Sequence, residues 1–361
     1  MGRTKRIVRV LLVNVALIAA GLVVLELAFG NWLRPNRIYR LNLVRGRTLR
    51  YDAKALYPVP NAVTYTRDEW GFRGEYDSPG NIDILTIGGS ATDQRFIADG
   101  ATWQDALARE FAAEGRRIRV VNAGVDGQST YGHIKDFDWW LPSVPGLKVR
   151  YVLFYVGGND VFKDEGSDYD DLVRDPRPTW MTRVRESSAV YHVVHTLEAT
   201  YEAHRVHDLS HHHTDFSTWK WTTEPLVHDP VTLAARRLRQ YRERLRVLAE
   251  KTRVIGATPI FVSQPFCTYR VRPDGVIEGR ADAEKYDDAE INGVDLYHLM
   301  QLFGRVTMEV CAEANGVCID AANEIVWQPG DFYDAIHNTP QVAERLGRYL
   351  HSKLADLPAA D

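Results

Sequence analysis

The chain has 361 residues, 45% of them hydrophobic and 25% charged, with a formal net charge of −4. Those proportions belong to a packed globular protein rather than a disordered one, with room for one large or two modest domains. Acidic and basic residues are interspersed, and no basic stripe threaded with aromatics follows Arg50, so a nucleic-acid-binding surface is not expected.

The first thirty residues stand apart. Arg3, Lys5, Arg6 and Arg9 precede an apolar run from Val10 to Gly30 that only Asn14 and Glu26 interrupt strongly. About 20 apolar residues are enough for a helix to cross a bilayer. The sequence "ELAFGNW" offers no small-x-small cleavage site, so residues 1–30 are expected to form an uncleaved membrane anchor rather than a signal peptide. The early cations favour a cytoplasmic N-terminus, but Arg34, Arg37, Arg40, Arg45, Arg47 and Arg50 follow on the other side. The expectation is a main domain outside the cytoplasm. Residues 31–80 form a juxtamembrane arm, in which "YTRDEWGFRGEY" (65–76) has the glycines and aromatics of an ordered segment.

From Asn81 strands and helices alternate. "IDILTIGG" is apolar nearly throughout, as a strand covered on both faces should be. "TWQDALAREFAAEG" follows as a helix, "RIRVVNAG" as a second strand and "VRYVLFYVGG" as a third. Residues 231–251 carry apolar positions at spacings of four and three, an amphipathic helix. "TPIFVSQP" is a fourth strand, a helix is expected near 295–314, and "GVCID" is a short fifth strand. Thr339 can cap a last helix with Pro340 at its first position. The fold class is therefore α/β, with residues 81–361 as a three-layer α/β/α sandwich around a parallel five-stranded, flavodoxin-like sheet.

Residues 163–230 break the pattern as an insertion. Its cluster His204, His207, His211, His212 and His213 invites a metal reading, but no cysteine or carboxylate stands at a recognisable ligand spacing. A solvated loop is expected, with no metal and no cofactor. Cys267, Cys311 and Cys318 make an odd total without a CxxC. They are read as small buried hydrophobes, although Cys311 and Cys318 could pair in an oxidising compartment.

In such sheets the site lies beyond the carboxyl ends of the strands. Those ends hold Gly88-Gly89-Ser90, then "NAGVDGQST" with Gly127, then "GGND" with Asn159, and finally "DFYDAIHNTP" with Asp334 and His337. A serine needs a base to take its proton, and an imidazole needs a carboxylate to fix its tautomer. Ser90, His337 and Asp334 fill those roles. Backbone N–H groups of Ser90 and Gly127 with the Asn159 amide would meet an oxyanion. A glycine at 127 would let its backbone amide come close to the reacting oxygen without a Cβ in the way. The G-G-S turn alone reads more readily as a simple turn than as a catalytic element. There is no GxxxxGK[ST] and no GxGxxG after a strand, and Thr92 occupies the place of the last glycine in a G-x-S-x-G elbow.

Together "IGGSAT", "NAGVDGQST", "GGND" and "DAIH" resemble the four blocks of the SGNH (GDSL-like) hydrolases. The resemblance implies Ser90 as nucleophile, Gly127 and Asn159 as oxyanion donors, and Asp334 with His337 completing a triad, without metal or organic cofactor. Gly89 departs from the family's usual Gly-Asp-Ser-Leu and, with "WGFRG", resembles a membrane-anchored bacterial branch. The expected substrate is an acyl ester, carbohydrate esters first among them. A lipase or lysophospholipase, an O-acyltransferase and a non-catalytic scaffold stand as alternatives, and oligomeric state is not legible.

Overall fold

The structure, a computed structural model, describes every residue except 1, 34–36, 42, 60–61, 164–169, 171–178, 203–204, 208 and 359–361. Arg34 and His204 of the sequence argument therefore lie outside the described residues.

Five parallel strands form the central sheet: β1 (Ile82–Gly88), β2 (Val120–Asn122), β3 (Val149–Val156), β4 (Thr258–Ser263) and β5 (Val317–Ile319). Their order is β2-β1-β3-β4-β5, the flavodoxin-like order expected. Alternate side chains serve two cores. Leu85, Ile87, Val152, Phe154 and Phe261 face one side, while Ile84, Leu153, Ile260 and Val262 face the other. Every residue of β1 is buried, which explains its unbroken apolar run.

Besides the insertion helix Ala189–Glu202, the helices labelled are α1 (Gly2–Phe29), α2 (Trp103–Ala113), α3 (Pro230–Val254), α4 (Gly293–Glu313) and α5 (Pro340–Leu354). α3 and α4 bury Tyr241, Leu245, Leu248, Leu299 and Phe303 on one face of the sheet. α2 and α5 bury Trp103, Leu107, Phe111, Leu346 and Leu350 on the other. Side chains of Thr102, Asp229 and Asn292 cap α2, α3 and α4. Thr339 takes the cap position of α5 without a side-chain cap bond, and Pro340 follows it. α1 is exposed over most of its length, with Leu25 and Glu26 partly covered, and its segment Thr4–Phe29 is long and apolar enough to span a membrane.

Three features depart from the sequence reading. The arm contains antiparallel strands, Arg47–Tyr51 and Val63–Arg67, and the insertion adds Val206–His207 beside Arg50–Tyr51. Between β4 and α4 lie two unexpected ribbons, Tyr269–Val271 with Ile277–Arg280 and Glu284–Tyr286 with Ala289–Ile291. Cys311, in the last turns of α4, and Cys318, on β5, form a disulfide, which corrects their reading as independent buried hydrophobes. The seven-residue step between them turns the chain back, bringing the two thiols within bonding reach.

Candidate active site

β1 ends at Gly88, and Ser90 opens a single helical turn, Ser90–Asp93. The Gly89 carbonyl accepts from the amides of Thr92 and Asp93 at 3.0 and 2.9 Å. At the first position of a helical turn the Ser90 N–H has no helical partner, which suits a donor to an oxyanion. Gln94 closes the turn in the left-handed region, φ +49°, with its N–H on the Ser90 carbonyl.

The arm holds this turn from behind. Arg73 donates to the carbonyls of Asp93, Gln94 and Ile97 at 3.1, 3.0 and 2.6 Å. Arg67, fully enclosed, donates to the carbonyls of Gly71, Asn122 and Gly124 and forms an ion pair with Asp93. Tyr65 Oη also donates to Asp93, at 2.7 Å. Burial works against the Asp93 charge, but Arg67 and then Arg95 outweigh it and hold the carboxyl below its usual range.

Gly127 sits at φ +75°, which a residue with a Cβ rarely adopts. Nothing lies within 4 Å of where its Cβ would be. The backbone conformation by itself thus calls for a glycine, and no protein atom crowds the position. Lys163 Nζ holds the Gly127 carbonyl. Gly89 is the reverse case. Its φ of −79° is ordinary, but an added Cβ would lie 2.4 Å from Asn159 Nδ2 and 2.9 Å from the Gln128 carbonyl. The aspartate of the usual family block has no space here. Asn159 Nδ2 donates one N–H to the Gln128 carbonyl at 2.6 Å, and a side-chain amide has a second N–H to offer.

Asp334 and His337 stand in the loop before α5. His337 Nδ1 donates to Asp334 Oδ2 at 2.7 Å, and Asp334 Oδ1 accepts the amides of Ile336 and His337 at 3.0 and 2.9 Å. Burial alone would raise the Asp334 pKa, but its bonds to His337 and the two amides prevail and hold it below the usual range. This bonding leaves His337 Nε2 as the acceptor. That atom is buried and without a hydrogen-bond partner among the described residues. The loop reaches the oxyanion side through Ile336, whose Cδ1 would be 2.9 Å from a Cβ on Gly158. All five predicted residues thus line the carboxyl edge of the sheet, although no hydrogen bond joins Ser90 to His337. Hydrogen bonds of this kind commonly tighten only when substrate is bound.

A family model described as the GDSL-like Lipase/Acylhydrolase family matches residues 86–345. The chain belongs to that family. It is an SGNH-type esterase, and its four blocks fall within the matched residues. Among solved structures the chain is similar to TesA, at 16% identity and TM-score 0.43 over 76% of this chain and 99% of that one. It is also similar to Axe2, an acetylxylan esterase from Geobacillus stearothermophilus, at 17% identity and TM-score 0.42, covering 76% and 94%. A third is LAE5, an alpha/beta hydrolase from the metagenome of Lake Arreo, at 17% and TM-score 0.42, covering 79% and 100%. No curated protein matches the chain.

Two residues beside the site had no assigned role in the sequence reading. His211, from the insertion, stacks on the His337 ring with centroids 4.2 Å apart and lies 3.1 Å from the Tyr333 hydroxyl. Burial, then the neighbouring His337, pulls its pKa down to about 4, so it is neutral at ordinary pH. With Asp334 and His337 it forms a group of potential metal donors within 4.8 Å of one another. Asp334 and Nδ1 of His337 are already committed to each other, so these donors are better matched to a proton-transfer pair than to a resident ion. Cys267, after β4, donates from Sγ to the Asp334 carbonyl at 3.1 Å, and its amide bonds the Ala335 carbonyl. No spacing in the sequence signalled either contact, because both partners are remote along the chain.

Proposed function

We propose that this esterase is a membrane-anchored serine hydrolase that removes acetyl or other short acyl groups from carbohydrate outside the cytoplasm. The observation that carries the reading is the Asp334–His337 pair, whose Nε2 is buried and unengaged and whose ring stacks on His211, itself packed on Phe96 just after the turn of Ser90. His337 takes the Ser90 proton as Oγ attacks the ester carbonyl. The amides of Ser90 and Gly127 and the second N–H of Asn159 receive the developing oxyanion. His337 then protonates the leaving alcohol. Water, deprotonated by His337, attacks the acyl-serine, releases the carboxylate and restores Ser90. Asp334 remains ionised throughout and stabilises the imidazolium.

A groove beside the site, with both charged and apolar walls, has room for a sugar ring and side chains able to hydrogen-bond its hydroxyls. It has a volume of about 860 Å³, starts at His211 and is lined among others by Asp52, Lys54, His207, His212 and His213. The Cys311–Cys318 disulfide supports an oxidising compartment, since such bonds persist outside the reducing cytosol. Residues 1–30 are then the anchor, 31–80 the arm and 81–361 the catalytic domain with its insertion at 163–230. The test is a hydrolysis panel from acetyl to long acyl chains on sugars and simple alcohols, with Ser90→Ala as control. The variant is expected to lose about three orders of magnitude or more in kcat. Full activity in Ser90→Ala would overturn the triad, and faster turnover of long-chain lipid esters would overturn the carbohydrate assignment.

A further inference from the structure

Glu26, the one acidic residue of α1, caps a helix that begins 163 residues further along the chain. Its Oε1 accepts from Ser188 Oγ at 2.5 Å and from the Val190 amide at 3.2 Å. Its Oε2 accepts from the Ala189 amide at 2.9 Å and from Trp32 Nε1 at 2.9 Å. The Asn31 amide adds a bond to the Ser187 carbonyl at 2.7 Å. The insertion helix Ala189–Glu202 is thus fastened by its N-terminus to the point where α1 ends.

That helix is amphipathic, and its apolar stripe faces outward. Val190, Val193, Val194, Leu197 and Tyr201 fall at i, i+3, i+4, i+7 and i+11, an arc about 100° wide without a charge in it. Val193, Val194, Leu197 and Tyr201 are 52, 49, 65 and 70% exposed. The inward face is the polar one, where His195 lies 3.3 Å from Arg47 of the arm. A helix docked on its own domain normally buries the apolar stripe. Here the arrangement is inverted, as in helices that lie in a membrane interface.

We infer that Ala189–Glu202 lies along the surface of the phospholipid bilayer that α1 enters, with its Val193–Leu197–Tyr201 stripe set into the headgroup–acyl boundary. The stripe is continuous with the membrane helix through Glu26, and this continuity selects lipid over a second copy of the chain. The contact gives the protein two attachments to one leaflet, which fixes the catalytic groove at one height and tilt above the membrane instead of leaving it on a swivel. The inference rests on the reading of α1 as an uncleaved anchor.

The test uses the full chain in phospholipid nanodiscs, with spin labels on single added cysteines at Leu197, at Thr196 on the polar side, and at Leu17 within α1. All three positions are exposed, so the labels leave the fold intact. The label at 197 should be accessible to oxygen and shielded from an aqueous nickel reagent, at a depth of about 5–10 Å, while 196 stays aqueous. If 197 is as water-accessible as 196 while 17 is embedded in lipid, the inference fails and the anchor stands. If 17 is itself aqueous, both fail. Dipolar broadening at 197 without lipid contact would assign the stripe to a second copy and overturn the proposal.

Discussion

Replacing Arg67 by methionine tests how firmly the arm holds the turn that carries Ser90. The guanidinium and the Asp93 carboxylate are 3% and 1% exposed, and Arg67 also satisfies the carbonyls of Gly71, Asn122 and Gly124. Removing one partner of a buried ion pair costs about 3–5 kcal/mol, because the other charge stays buried without it. Arg95, 3.6 Å from the other Asp93 oxygen, compensates in part, so the expected loss is about 3–4 kcal/mol. With an unfolding entropy of about 0.6 kcal/mol per kelvin for a domain of this size, the melting temperature should fall by about 6 °C. The assay is thermal unfolding of the full chain in detergent micelles, for Arg67→Met, Asp93→Asn and the double variant. The amide introduced by Asp93→Asn carries no charge and can still accept from Tyr65, so the double variant should lose less than the sum of the singles by about 2 kcal/mol. Additive losses, or a fall of less than about 1 °C for Arg67→Met, would refute the reasoning.

Gly89→Ala should lower kcat by about 10²-fold and also lower the melting temperature, because the new methyl displaces the Asn159 amide, removing one oxyanion donor, and presses on the Gln128 carbonyl. Unchanged hydrolysis of a short acyl ester would contradict it. Asp334→Asn should keep KM and lose about 10⁴-fold in kcat, since an amide no longer enforces the His337 tautomer; steady-state kinetics on the same ester measure this. For His211 the sign follows from its lowered pKa. As the pH falls below 6.5 the unfolded chain takes up a proton that the native state refuses until about pH 4. Its contribution to native stability is therefore complete above that window and is lost on acidification through it. His211→Gln should melt with a shallower pH dependence between about 6.5 and 4 than the parent, and parallel curves would exclude the linkage.

The sheet and the candidate site were legible in the sequence for one physical reason. Buried parallel strands such as "DILTIG" and "VRYVLFYV" are apolar without a break, and the residues that leave their carboxyl ends converge on one edge. Ser90, Asn159 and His337 could be grouped on that basis although 247 positions separate the first from the last. The arm strands were hidden because Arg47–Tyr51 (RTLRY) sets its arginines three apart, without the period-two alternation of a half-buried strand, and pairs with segments outside the repeating α/β pattern. His211 looked like one member of a solvated histidine run, and only the folding of the insertion over the triad loop separates it from His212 and His213. The disulfide depended on the turn between α4 and β5, which no cysteine spacing reveals.

The bonds from Arg67 and Arg73 also decide where the protein can be cut. A soluble fragment begun at residue 81, where the strand–helix alternation starts, would retain all five candidate catalytic residues. It would leave the Asp93 carboxylate with Arg95 alone, and the backbone carbonyls of Asp93, Gln94, Ile97, Asn122 and Gly124 without their guanidinium donors. A fragment that starts ahead of Arg47 keeps those donors and the paired arm strands, while still omitting α1. The expression boundary thus falls ahead of the arm strands rather than at the first strand of the sheet, and an inactive short fragment would report a lost brace rather than a missing catalyst.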